Sequence, residues 1–270
     1  MLRTRIFTAV VLACVLLAGL FLLPAPWAAA AFGAVFTFGG WEWSGFGGLT
    51  GVGVRLAYAA CIAAALLLAW QWTAEPRHLL LLLGLAGVWW LCALLWLLAA
   101  PSRHHPLLAL SCGFLVLVPA FIALARLLTA ARGFAQGPVM VLWLVLLVIA
   151  ADIGAYFAGR RFGERKLAPR VSPGKTWEGV LGGLSMVALV AWGGATHFHL
   201  PPLESVAFGC AVGIFSVIGD LTESMFKRAA GLKDSGTALP GHGGLLDRID
   251  SVTAAAPLYA LGLFGSGVIA

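Results

Sequence analysis

The sequence predicts an all-α polytopic membrane protein of about nine transmembrane helices, with a polar site facing the cytoplasm. Three observations carry this expectation. Of the 270 residues, 61% are hydrophobic and 10% charged, against roughly 45–50% and about 25% in soluble domains. Mean hydropathy is +0.98. The apolar residues also fall in runs near the roughly 20 residues that cross a bilayer as a helix. The 34 glycines and 11 tryptophans fit the class, because membrane helices tolerate glycine and tryptophan collects at the interfaces. A soluble domain, a disordered tail and a disulfide scaffold are excluded.

The runs justify the helices in order. The first, 6–23, follows Arg3 and Arg5. It is longer than the roughly 7–15 apolar residues of a signal peptide, so it reads as a span although Ala28–Ala31 imitates a cleavage site. The second, 27–40, is short and glycine-rich, and reads as a span or a re-entrant segment. The runs 52–72, 79–100, 107–128, 138–159, 177–196, 203–222 and 251–269 complete the nine. The chain divides into a multi-span hydrophobic half, 1–150, and a C-terminal membrane half, 151–270, that carries the polar motifs. Cys14, Cys61, Cys92, Cys112 and Cys210 stand singly in apolar runs, which suits small core residues and neither zinc nor disulfides.

Charge sets the orientation. With the N-terminus inside and the loops alternating, fourteen basic residues face the cytoplasm: Arg3, Arg5, Arg55, Arg103, six between Arg160 and Lys175, and four between Lys227 and Arg248. Only Arg77, Arg126 and Arg132 lie outside, a strong positive-inside bias. The net charge of +6 therefore marks topology, and no nucleic-acid partner is expected. The expected localisation is a bacterial-type inner membrane. Eight of the eleven acidic residues lie in 151–179 and 219–250. Orientation signals need no carboxylates, so these acids call for a function.

Asp220, Glu223, Ser224, Lys227 and Arg228 follow helical spacing, and after a glycine-rich loop Asp247, Asp250 and Ser251 do so again. Asp220 and Asp247 are thus expected at two helix ends joined by one polar loop. A pair of carboxylates, with water and substrate phosphate, is how Mg²⁺ is commonly held. Lys227, Arg228, Lys233 and Arg248 supply cations suited to phosphate, and the glycines around His242 let backbone N–H groups approach an anion. In the first segment, Gly174-Lys175-Thr176 imitates the end of a P-loop, but Pro169 stands where that motif requires glycine and no strand is expected before it. A capped helix start remains, with Thr176 as N-cap, Glu178 in the first turn and Lys175 beside the positive end of the dipole. Asp152 lies eight residues before Arg160, about 12 Å deep at roughly 1.5 Å per residue, and Tyr156 is one turn later. A carboxylate at that depth is costly and marks function. Glu42, between Trp41 and Trp43, reads as an interfacial anchor.

The stretch from Ser224 to Asp250 reads Ser-x-x-Lys-Arg, four residues, Lys-Asp, a gap, Pro-x-His-Gly-Gly, two residues, Asp-Arg-x-Asp. It resembles the signature of the phosphatidate cytidylyltransferase (CDP-diacylglycerol synthase) family at every fixed position. Asp152-x-x-Ala-Tyr156-x-x-Gly159 and Ser172-Pro-x-Lys175-Thr176-x-Glu178-Gly179 are similar to two further stretches of that family. The resemblance implies an integral membrane enzyme that joins CTP to phosphatidic acid, giving CDP-diacylglycerol and pyrophosphate. It implies a metal centre on Asp220 and Asp247, with Mg²⁺ and a monovalent cation such as K⁺, in a homodimer. Lys227, Arg228, Lys233, Asp234, His242, Arg248 and Asp250 are then the candidate catalytic residues. Asp152, Tyr156, Ser172, Lys175, Thr176, Glu178, Ser224, Gly243 and Gly244 are the candidate substrate contacts. Two other readings are an ion-coupled anion carrier and a CTP-dependent lipid kinase. A carrier's site lies near the midplane between repeated halves, whereas here the charge gathers at one face and no repeat is seen.

Overall fold

The computed structural model describes residues 2–99, 105–130, 136–195 and 201–266, with side chains from Phe7 onward. Arg103, Arg132, His104, His197 and His199, the side chains of Arg3 and Arg5, and the tail ends of the runs reaching 100, 196 and 269 lie outside the described residues.

Nine α-helices are present among the described residues: α1 (Leu2–Phe21), α2 (Ala25–Trp43), α3 (Val52–Trp72), α4 (Pro76–Ala99), α5 (Pro106–Ala130), α6 (Gln136–Phe162), α7 (Trp177–Gly194), α8 (Pro202–Ala229) and α9 (Asp250–Gly265). Five of them, α3, α4, α5, α6 and α8, are long and apolar enough to cross a membrane. The second run is one unbroken helix, started by Pro24 and Pro26, where a missing N–H costs nothing. Position 150 falls within α6, so the two halves share a helix. The eighth run does not end at 222: α8 continues through its polar residues to Ala229.

Two short strands were not expected. β1 (Lys166–Ala168) and β2 (Ser172–Thr176) form an antiparallel ladder, with Lys166 opposite Thr176 and Ala168 opposite Ser172. The reading that no strand stands near Lys175 is therefore corrected. Strands of three and five residues with Pro173 and Gly174 inside show none of the alternation that marks a strand in sequence. The P-loop is still absent, since Lys175 lies on the strand itself.

The core runs along α5 and α9. From Val116 to Leu128 only Arg126 on α5 is not buried, and α9 buries Thr253 to Pro257 in one stretch. Outward faces keep Leu67, Leu68, Leu95, Leu98, Leu189 and Trp192 exposed, as a protein solvated by lipid requires. Hydrogen bonds fix which helix ends meet. Trp43 Nε1 donates to the Ala109 carbonyl at 2.8 Å and the Tyr58 hydroxyl to the Leu110 carbonyl at 2.7 Å, joining the end of α2 to the starts of α3 and α5. At the opposite end Arg126 donates to the Trp70 carbonyl and to Thr73 Oγ1, and stacks 3.9 Å from the Trp70 ring centroid.

Helices α6 and α7 approach through small residues, which let two backbones come close without a hydrophobic drive from water. A Cβ at Gly154 or Gly182 would collide with the facing helix, the first with the Gly182 carbonyl and the second with Ala158 Cβ. Gly182→Leu must therefore push the helices apart. We expect its melting temperature in detergent to fall by several degrees, whereas Leu181→Ala, on the exposed face, should leave it near the parent's.

Candidate active site

Four segments converge at the end of the bundle that carries Glu42: the last turns of α6, strand β2, the polar extension of α8, and the stretch 230–249. That stretch passes through a 3-10 turn, Leu246–Arg248, into α9. Asp247 therefore lies on this turn and not on a regular helix with Asp250, as the three-residue spacing had suggested.

The extension of α8 stacks Asp220, Glu223 and Lys227 on successive turns. Glu223 and Lys227 are buried. The Lys227 ammonium sits 3.1 Å from Glu223 Oε1 and 2.6 Å from Asp247 Oδ1. Asp247 Oδ2 accepts from the backbone N–H of Ser235 at 2.9 Å and of Gly244 at 2.8 Å. Burial opposes ionisation of Asp247, but Lys227 and those two amides outweigh it and hold its carboxyl below the ordinary value.

Asp220 stands closer to solvent. Its Oδ2 is 2.6 Å from the Lys175 ammonium, and its Oδ1 accepts from the Ser224 hydroxyl at 3.3 Å. Lys175 reaches it from β2 just before α7 begins. Thr176 is the N-cap expected there, its Oγ1 accepting from Gly179 N–H at 3.1 Å. Ser172 faces Ala168 across the ladder. Glu178 is turned away to the other flank, where it accepts from the backbone N–H groups of Glu164 and Arg165 and anchors the exit from α6.

Two clefts flank these pairs. One, of about 490 Å³, opens between α6 and α7, lined by Asp152, Tyr156, Arg160, Lys175, Thr176 and Val217. Arg160 donates to the Tyr156 hydroxyl at 2.8 Å across its rim. The other, of about 700 Å³, is lined by Lys233, Asp234, Thr237, His242, Gly243 and Arg248. A tight turn shapes it: Leu239 N–H donates to the Gly243 carbonyl and His242 N–H to the Leu239 carbonyl, each at 2.9 Å, with Gly243 at φ 80°. Arg228 braces the surroundings by donating to the carbonyls of Val171 and Leu232. The Asp250 carboxylate accepts from Ser251 N–H at 2.7 Å at the start of α9.

Sequence reasoning missed one member. Glu42 is not an anchor at the interface: it is 2% exposed and bonds the 235–246 segment. The signals were a lone carboxylate at the end of an apolar run and its pairing with Trp43. Gly244 is likewise packed against Glu42, its added Cβ falling 2.7 Å from both carboxylate oxygens.

Fold and site together define an integral membrane protein whose carboxylates and cations are matched at one end of a helical bundle, beside clefts sized for charged ligands. Residues 3–264 match the Cytidylyltransferase family. Over 274 residues the chain is 44% identical to the phosphatidate cytidylyltransferase of Pseudomonas aeruginosa, an alignment covering 99% of this chain and 98% of that protein. It is 41% identical over 283 residues to the phosphatidate cytidylyltransferase of Haemophilus influenzae, covering 96% and 98%. A phosphatidate cytidylyltransferase of Brucella suis is 48% identical over 134 residues, 47% of this chain and 46% of that protein. The chain belongs to the cytidylyltransferase family.

Lys175 neutralises Asp220 and faces the first cleft, whereas Lys166 is an exposed strand residue. We expect Lys175→Ala to lower turnover or raise the KM for nucleotide at least tenfold, and Lys166→Ala to change either by less than twofold. Steady-state kinetics on the two purified variants checks both.

Proposed function

We propose that this site transfers the cytidylyl group of CTP to phosphatidate, forming CDP-diacylglycerol and releasing pyrophosphate, at the cytoplasmic face of a bacterial inner membrane. The observation that carries the reading is the pairing of Lys175 with Asp220 and of Lys227 with Asp247 beside two open clefts, in a chain aligned over nearly its whole length with phosphatidate cytidylyltransferases. Positive charge between Arg160 and Lys175 and between Lys227 and Arg248 supports the cytoplasmic orientation. The family resemblance is the support for a homodimer.

A phosphate monoester is largely dianionic at pH 7, its second pKa being about 6. Its oxygen is therefore already a nucleophile and needs no general base. One phosphatidate oxygen bonds to the α-phosphorus of CTP as the bond from that phosphorus to the bridging oxygen breaks, and pyrophosphate leaves. The obstacle is bringing a dianion up to a triphosphate, so the protein's contribution is positioning and charge neutralisation. The first cleft borders Val180 and Val217 and suits a lipid phosphate that keeps its acyl chains in the bilayer, with Arg160 and Lys175 as its cations and Tyr156 and Asp152 at its wall. The second cleft brings Lys233 and Arg248 to the triphosphate, with His242 and the turn at Gly243 closing its floor.

The donor chemistry fits Mg²⁺. Asp220 and Asp247 offer hard oxygen donors, and each already faces a positive charge, the condition an ion would meet. Asp220 has the more open oxygens, whereas those of Asp247 are met by Lys227 and two backbone amides. Bound there, with a monovalent cation such as K⁺ nearby, Mg²⁺ would neutralise the triphosphate and the leaving pyrophosphate. Lys175, released from Asp220, would then turn toward phosphate, while Lys227 stays buried against Glu223.

Purified protein in detergent with α-labelled CTP, phosphatidate and Mg²⁺ tests the reading, which expects label in an organic-extractable lipid. Folded protein that leaves all label in CTP would contradict it, and lipid labelled only from the γ-phosphate would identify a kinase. Asp220→Asn and Asp247→Asn should each lower kcat on the order of 10²–10³, the scale of losing a key electrostatic stabiliser, with the double variant little worse because such groups act as a unit. Asp234→Asn should cost less. Near-normal turnover in a monodisperse single variant would remove that residue from the metal site. The loop residue Thr237 is exposed, so in a cysteine-free background Thr237→Cys should react with an impermeant thiol reagent in inside-out vesicles and not in intact cells.

A further inference from the structure

The N-terminal half supplies a buried carboxylate that lies outside the polar segments 151–179 and 219–250. Glu42 lies in the last turn of α2 and is 2% exposed. Its Oε2 accepts from the Ser235 hydroxyl at 3.2 Å and from Leu246 N–H at 2.7 Å, and its Oε1 accepts from Leu245 N–H at 3.1 Å. No cation pairs with it among the described residues. Its charge is met by donors alone, all drawn from one loop about two hundred residues away. The loop is moulded to it: a Cβ at Gly236 would lie 2.5 Å from Oε1, and one at Gly244 would strike Ser235 Oγ and both Glu42 oxygens.

The same loop has a second face. Ser235 and Gly244, whose N–H groups hold Asp247 Oδ2, flank the hydroxyl and amides that hold Glu42. Two carboxylates therefore gather the loop from opposite sides, one buried behind it and one at the site. The end of α2 is itself fixed: Arg55 donates to the Trp41 carbonyl at 2.8 Å and to Ser44 Oγ at 2.9 Å, and stacks on the Trp41 ring. The bonds at Glu42 thus connect a rigid helix end to the turn that carries Asp247.

We infer that Glu42 is a positioning residue for the reaction, fixing the 235–246 loop so that Asp247 and the second cleft hold their catalytic shape. It touches no reacting atom. The inference rests on the cytidylyl-transfer reading of this site.

The test combines kinetics with hydrogen exchange on the full-length protein in detergent. Glu42→Gln preserves size but turns an amide NH₂ toward loop donors. Its kcat at saturating CTP and phosphatidate should fall at least tenfold in the monodisperse fraction, and amide exchange in peptides spanning 235–247 should accelerate at least tenfold while α3 and α5 peptides stay unchanged. Arg126→Ala, which loosens the opposite end of the bundle, should lower the melting temperature yet leave kcat of the folded fraction and exchange in 235–247 within twofold. Glu42→Gln with kcat and loop exchange within twofold of the parent would overturn the inference, as would a global rise in exchange equal to that of Arg126→Ala with kcat intact. If Glu42→Gln does not accumulate, Ser235→Ala removes one Glu42 bond and keeps the amide that holds Asp247. It should show a smaller loss, about threefold, with the same localised exchange, and parental values for both would equally overturn the inference. Parent enzyme assayed alongside separates the two claims: no CDP-lipid from the parent counts against the reaction, whereas normal parent and variant turnover counts against Glu42 alone.

Discussion

A buried ammonium between two carboxylates is the constraint on which the polar end of this protein depends. An ion removed from water is tolerated only when partners of opposite charge and good geometry surround it. Lys227, shielded inside the bundle, meets Glu223 on its own helix and Asp247 on the turn before α9. That contact does more than cancel charge. It ties the extension of α8 to the turn that begins α9, and Asp247 in turn gathers the amides of Ser235 and Gly244. Removing one partner would leave the others with uncompensated charge, so this part of the structure behaves as a unit.

The second pair, Lys175 with Asp220, is more open and rests on different physics. Its geometry comes from the close approach of α6 and α7 and from the small hairpin between them. The hairpin delivers Lys175 beside α8, Thr176 caps α7, and Glu178 clamps the exit of α6. One pair is thus built on helix-end electrostatics in the protein interior and the other on backbone packing at a cleft. Their difference suits a reaction in which some charges must stay fixed while others exchange partners with phosphate.

The helices were largely legible in the sequence because long apolar runs have few alternatives in a membrane. The run 52–72 matches α3 residue for residue. The continuation of α8 to Ala229 was implied by the spacing of Asp220, Glu223 and Lys227, although hydropathy alone stops it at 222. Local features of the site were also readable, as the Thr176 cap shows. What escaped was set by tertiary contact. The β1–β2 ladder is too short for a periodic signal, and the 3-10 turn at Asp247 follows from the amides that bind its carboxylate. Glu42 escaped because its donors are about two hundred residues away, and a carboxylate between tryptophans looks the same in sequence whether it faces lipid headgroups or a loop.

That separation has a consequence for biogenesis. Leu245 follows Glu42 by 203 residues, roughly 10–40 s of translation at about 5–20 residues per second. Helix α2 enters the membrane long before the donors that satisfy its carboxylate exist. Until residues 235–246 have been made, none of these donors is available to it. Completion of the loop is the step at which this carboxylate of the first-made half meets its donors in the last-made half.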